Sequence, residues 1–260
     1  MNLAGHMLVR GVLAVLLVFL YLPILVMIAM AFNESSLYAL PFRFSTTWFE
    51  QLGHNAQLLA AARNSVILAT LNTVVATALG TMAAIALSRY QFRGKSLLRL
   101  LLFVPVSVPW LILATAMLIF FYWVGIGRGL HAMLLAHVAL SLPYVIVIVG
   151  ARLASFPAGV EEAAATLGAN SWQTFWLVSA PILAPGIVAA ALFSFAISFD
   201  QFPTSYFLAA PGLTTLPVEI YSMIRKGFTP EINAISSIII VVSMGLMLVS
   251  SRFFSFSGTR

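Results

Sequence analysis

Residues 154–181 read ASFPAGVEEAAATLGANSWQTFWLVSAP, and the class of the whole chain turns on them. Val160, Ala163, Ala164 and Leu167 recur at helical spacing, which puts them on one face of a short helix. Glu161 and Glu162 fall in its first turn, where the partial positive charge of a helix start favours carboxylates. Gly168 stands where that helix must stop and the backbone turns left-handed. Asn170, with Gln173 three residues on, predicts the N-cap of a second short helix, and Trp172, Phe175 and Trp176 form its apolar face. The stretch is long for a helix–helix connection. A helix lying on lipid headgroups is rich in Lys and Arg, whereas Val160 to Ile182 holds two Glu and no base. An acidic, apolar-striped knuckle suits a socket on a partner protein better than a bilayer surface.

On both sides of the knuckle the chain is oily. Of its 260 residues, 62% are hydrophobic and 8% charged, against about 25% charged in a soluble domain. Lipid is therefore the main solvent. A spanning helix needs about 20 apolar residues, and six stretches qualify: about Gly11–Phe32, Ser65–Ser88, Leu97–Tyr122, Leu130–Gly150, Pro181–Leu208 and Ile235–Phe254. The expected fold is an all-α polytopic bundle, one domain over residues 1–260, with 154–181 as a loop within it. The first run ends in Ala29-Met30-Ala31, which looks like a cleavage site. It is too long for a signal-peptide core of about 7–15 residues, so an uncleaved anchor helix is expected.

Six spans bring both termini to one side. That side carries Arg10, Arg89, Arg93, Lys95, Arg99, Arg152, Arg252 and Arg260; the other carries Arg43, Arg63, Arg128, Arg225 and Lys226. Of the acids, only Glu161 and Glu162 join the first group. Lys and Arg accumulate in cytoplasmic loops, so both termini and the knuckle are expected in the cytoplasm. The net charge of +6 then sets topology, and no nucleic-acid module accompanies it. Ala76, Gly80 and Ala84 make a small-residue face on the second span, suited to close helix packing. Pro105, Pro109, Pro143, Pro185 and Pro203 each remove a backbone donor and invite a kink.

Glu162-Ala163-Ala164, Gly168 and Pro181 together resemble the EAA motif of binding-protein-dependent ATP-binding-cassette importer permeases. Val178 and Ala180 stand where that motif usually has Ile and Leu, and an Arg often found in its second helix is missing. The resemblance implies a type I importer transmembrane fold. It also implies that Glu161, Glu162, Ala163, Ala164, Leu167, Gly168, Trp172 and Pro181 couple the bundle to a separate ATPase. Asn64-Ser65 before the second span and the basic turn from Arg89 to Lys95 look like the same family. Ser198-Phe199-Asp200-Gln201, Tyr206-Phe207-Leu208, Thr214-Thr215-Leu216-Pro217, Ile220-Tyr221-Ser222-Met223 and Pro230 to Ala234 are similar to its spermidine/putrescine branch.

The partners so implied are a second permease, two ATP-binding subunits that hold ATP and Mg, and a periplasmic solute-binding protein. The chain itself would carry no cofactor and no catalytic residue, and would sit in the bacterial inner membrane. A carboxylate inside a span is a functional candidate by default. Asp200 is thus expected on the substrate pathway, with Phe199, Tyr206 and Trp110 offering ring faces to a cation. Capping of a helix break is the alternative for Asp200. Trp48 and Phe49 read as an interfacial belt or a docking surface for the solute receptor. Glu219 and Glu231 read as a solvated loop or a contact with that receptor.

Other signals fail. Gly94-Lys95-Ser96 lacks the second Gly of a phosphate-binding loop and a strand before it. His131 and His137 lie six apart, on different helix faces, and read as packing or loop residues, with no metal expected. Cysteine is absent, which excludes disulfides and thiolate sites. An ion-coupled secondary transporter would carry charged relays in several spans, and a membrane scaffold would show no solute-dependent response. Another small cationic or amino-acid-like solute is the alternative cargo.

Overall fold

A computed structural model of the chain describes residues 3–35, 40–157, 159–227 and 229–255. The helices are α1 (Leu3–Ala31), α2 (Thr47–His54), α3 (Ala56–Arg89), α4 (Lys95–Ser107), α5 (Trp110–Trp123), α6 (Leu130–Ala154), α7 (Val160–Thr166), α8 (Ser171–Thr174), α9 (Ala180–Phe199), α10 (Phe202–Leu208), α11 (Leu216–Lys226) and α12 (Glu231–Ser255). No strand occurs among the described residues, only one backbone bridge between Asn33 and Phe44.

Four helical runs are long and apolar enough to cross a bilayer: Val9–Ala31, Ala56–Arg89, Leu130–Ala154 and Ser171–Phe199. The third expected span is corrected. It is two helices, α4 and α5, bent by 112° at Val108-Pro109. Pro109 has no N–H to bond back into α4, and it drives the residue before it out of the helical region. Val108 is accordingly extended, at φ −95° and ψ 133°. Where the sixth span is expected lies α12, which begins at Glu231 rather than Ile235; its stretch Glu231–Gly245 is a shorter apolar helix and is not among the four that are long enough to cross.

The fifth span is corrected at both ends. It starts at Ser171, so the expected second short helix is its first turn and a half, not a separate element. Residues Phe175–Ser179 form a π turn, in which the Ala180 N–H reaches the carbonyl of Phe175. One wide turn just ahead of Pro181, a residue that removes a helical donor, lets the rod run on unbroken. The span stops at Phe199 rather than Leu208. Asp200 caps it, Gln201 is extended, and Pro203 lies in the first turn of α10.

The chain divides into two compact units, Met1–Leu59 with Ile220–Val249, and Ala60–Glu219 with Ser250–Arg260. In the second, α6 is central: 61% of its most apolar window is buried. Val145, Ile146, Val149 and Leu153 of α6 meet Ala76, Ala84 and Leu87 of α3 and Leu183 and Ala190 of α9. The expected small-residue face is the contact surface. A methyl group built on Gly80 would sit 2.5 Å from Cγ1 of Val145. Nearer the other end, Met133 and Ala136 pack with Leu68, Phe121 and Leu208.

In the first unit, Asn33 organises the chain after α1. Its carbonyl accepts from Trp48 Nε1 at 2.7 Å, and its Oδ1 accepts from the Arg43 N–H at 3.0 Å. Phe32 packs on Phe44 and Phe49. Trp48 is thus a fold staple within its unit. Asn55 caps α3 through the Leu58 N–H and donates to Glu231 at 2.9 Å. Glu231 therefore has a specific partner. In the second unit Glu219 is 6% exposed, which corrects the solvated-loop reading of it.

Candidate functional site

The connection between α6 and α8 is built from local rules. Gly159, at φ +79°, precedes α7, and Ala163 N–H closes its first turn on the Gly159 carbonyl. The helix ends in a Schellman motif: the Gly168 N–H reaches the Ala165 carbonyl and the Ala169 N–H the Ala164 carbonyl, both at 3.0 Å, with Gly168 at φ +89°. Those bonds satisfy carbonyls that a helix end otherwise orphans. Asn170 and Gln173 form the expected reciprocal capping box, at 2.9 and 3.0 Å.

This geometry turns apolar side chains outward. Leu167 is 89% exposed and Trp172 70%, one on each side of the Gly168 turn. Trp176 stands edge-on to both Trp172 and Phe175, with ring centroids 5.5 and 5.2 Å away. Ala163 and Glu162 are exposed as well, Ala164 is half-buried, and Pro181 is exposed.

Glu161 behaves differently from its neighbour. Its Oε1 accepts from Arg89 at the end of α3 and from the hydroxyl of Ser179 in the π turn. The Arg89 guanidinium also lies 5.8 Å from the ring centre of Phe156, between α6 and α7. At the same end of the unit, Arg152 Nε donates to the Ile182 carbonyl at 3.0 Å, three residues before Pro185 in α9. Neither Arg89 nor Ser179 stands out in the sequence as a partner of Glu161. The one signal for Arg89 is the basic turn it opens, and Ser179 has none.

The residues expected on the pathway are spread over the junction of α9, α10 and α5. Asp200 is exposed and is the C-cap of α9. Phe199 stacks on Phe195 at 5.9 Å within α9, and Tyr206 pairs with Phe202 at 5.5 Å within α10. Trp110 opens α5, which packs against α10. Among the described aromatic pairs, none joins Phe199 or Trp110 to Tyr206.

Two polar clusters thread the helices behind that junction. Asn72 Nδ2 donates to Ser141 and Ser194, and His137 bonds Ser198 Oγ at 2.8 Å and Ser205 Oγ at 3.1 Å. His137 is a packing residue, and His131 bonds the Ile126 carbonyl in a loop. Beside Asp200, Gln201 is 1% exposed, and neither its amide atoms nor Thr204 Oγ1 finds a hydrogen-bond partner among the described residues. The stretch Ser198-Phe199-Asp200-Gln201 carries a sequence signal, but the burial of Gln201 does not show in it. No group of three His, Asp or Glu able to hold a metal occurs among the described residues.

Asn64 and Ser65 prove to be tied to the segment Thr214–Leu216. Asn64 Nδ2 donates to the Thr214 carbonyl at 2.9 Å, and Ser65 Oγ accepts from the Leu216 N–H at 2.8 Å.

Comparison with known proteins follows the same lines. Residues 76–260 match the family of binding-protein-dependent transport system inner membrane components. Over 256 residues the chain is 34% identical to the spermidine/putrescine transport system permease protein PotC of Escherichia coli K12, covering 98% of this chain and 97% of that one. It is 38% identical over 233 residues to the protein of that name from Haemophilus influenzae, covering 89% and 90%. Among solved structures, a bacterial alginate importer in complex with its alginate-loaded periplasmic protein superposes with a TM-score of 0.72 at 17% identity, over 95% of this chain and 92% of that one. The methionine ABC transporter MetNI, in an inward-facing conformation, does so with a TM-score of 0.60 at 20% identity, over 84% and 100%. These likenesses establish the fold as that of an importer transmembrane domain.

Proposed function

Since the chain belongs to the binding-protein-dependent transport system inner membrane components, we propose that it is the permease subunit of an ATP-driven polyamine importer. It passes spermidine or putrescine from a periplasmic binding protein to the cytoplasm, and acts as one permease domain over residues 1–260. The observation that carries the reading is the Gly168 turn, which holds Leu167 and Trp172 outside the bundle on an acidic helix. Exposed apolar side chains beside carboxylates fit a groove in a protein rather than lipid headgroups. Here α7 sits in such a groove on an ATP-binding subunit. Glu162, Ala163 and Leu167 make the contact, with Trp172 and Pro181 at its margin.

The assembly comprises this chain, a second permease and two ATP-binding subunits, which hold ATP and Mg. The surplus of Lys and Arg on one side places both termini in the cytoplasm. This chain performs no covalent step. Closure of the ATP-binding subunits moves α7, and the helices joined to it reopen the pathway to the other side. The polyamine assignment is supported by the names and full-length similarity of the Escherichia coli and Haemophilus influenzae relatives. It is also supported by the chemistry of the α9–α10 junction: Asp200 offers a carboxylate, Phe199, Tyr206 and Trp110 offer ring faces for an ammonium, and Gln201 and Thr204 offer hydrogen bonds.

Glu162→Lys tests the docking. The variant is expected to insert into the membrane normally and to lose its ATP-binding subunits on purification, with ATP-dependent spermidine uptake abolished. Uptake at the parent rate with the complex intact would reject the assignment of α7.

A further inference from the structure

Glu161 and Glu162 are adjacent, yet one faces outward and the other is engaged within the bundle. Glu161 is about one-third exposed, and its Oε1 is shared by Arg89 and Ser179. Three elements therefore meet on one carboxylate: the end of α3, the start of α7, and the π turn that leads into α9. The covalent path gives α7 no such stiffness. It is flanked by Gly159 and Gly168, both at positive φ, and an L residue with a side chain rarely adopts that conformation. The Schellman bonds and the Asn170 cap brace the joint at Gly168, which leaves Gly159 as the looser one. Without a further connection, a push on α7 would be absorbed by rotation at that end.

We propose that Glu161 does not touch the ATP-binding subunit but latches α7 to α3 and α9, turning a hinged knuckle into one lever. This inference rests on the coupling role of α7 proposed above. A charge-assisted pair with Arg89 is strong and directional, and Phe156 under the guanidinium fixes the arginine from the α6 side. Ser179 lies in the wide turn before Pro181, where a transverse force enters α9. Displacement of α7 thus reaches α3 and α9 together, and through α9 the break at Asp200. Glu161 is a positioning residue: it acts through α3 and α9, with no contact to solute or nucleotide.

Two readouts on the assembled complex in lipid test it. The first needs no transported solute. The chain has no native cysteine, so spin labels go on Arg93→Cys and on Ala165→Cys, an exposed position of α7 outside the proposed contact. The parent is expected to give one narrow distance distribution, unchanged between nucleotide-free and ATP-bound states. Glu161→Gln is expected to broaden it, and a distribution as narrow as the parent's overturns the latch.

The second readout is spermidine taken up per ATP hydrolysed. Glu161→Gln and Arg89→Glu are expected to lower that ratio by about tenfold, within the usual range of coupling between sites. The ATP-binding subunit should stay in both complexes, and the exchanged pair Arg89→Glu with Glu161→Arg should recover most of the ratio. Three results overturn the proposal: an unchanged ratio, loss of the ATP-binding subunit from the Glu161→Gln complex, or an exchanged pair no better than Arg89→Glu alone. Absence of spermidine uptake by the parent complex would instead reject the polyamine assignment, and the distance measurement would still decide the latch.

Discussion

Gly168 holds φ at +89° with open space around the position where a Cβ would stand. Its role is conformational, since a methyl group there would meet nothing. Gly168→Ala should therefore destabilise the α7 terminus by about 1–2 kcal/mol, the strain of a left-handed residue with a side chain. Hydrogen exchange should read this as amide exchange in α7 faster by roughly 5–30-fold, with exchange in α6 unchanged. The Schellman turn and the Asn170 cap are legible in the sequence because they depend on neighbours along the chain. The division of labour between Glu161 and Glu162 is not. Successive residues of a helix point about 100° apart, and which of them meets the bundle depends on Arg89, 72 positions away.

The packing of α3 on α6 shows why small residues recur at every fourth position. Gly80 admits the backbone of α3 to within contact of Val145, and any larger residue displaces it. Gly80→Leu should cost about 1–3 kcal/mol through overpacking, seen as a lower thermal midpoint of the purified protein. Adding Val145→Ala should restore part of the loss, because it removes the atoms that clash. Apolar runs and the small-residue face make the long helices and this contact legible. Helix breaks are harder to read. Pro105, Pro143 and Pro185 all sit inside helices, whereas Pro109 ends one. A proline removes one donor in every case, and the surrounding packing decides whether the helix bends or stops. The knuckle's second helix misleads for a related reason. Pro181 reads as a helix start, and the π turn that lets the rod pass it depends on the serine and aromatic residues of α8–α9 settling into a wider turn.

The account of the whole machine rests on α7 receiving force from outside the chain. Apolar composition and the EAA-like spacing make the membrane class and the family legible in the sequence, and the partner socket is a proposal built on them. The residues expected on the pathway do not form one ring cluster: Phe199 stacks within α9 and Tyr206 pairs within α10. Uncommitted groups such as Gln201 become visible only when burial is known. In the proposed assembly force enters at α7, beside the exposed Leu167. The absence of native cysteine permits a clean test. Leu167→Cys, carried by the intact complex with spermidine transport verified, is treated with a short bifunctional thiol–amine cross-linker. The account predicts a covalent product with the ATP-binding subunit, formed in both nucleotide-free and ATP-bound states. A transport-competent complex in which Leu167→Cys labels freely but never joins that subunit would contradict it.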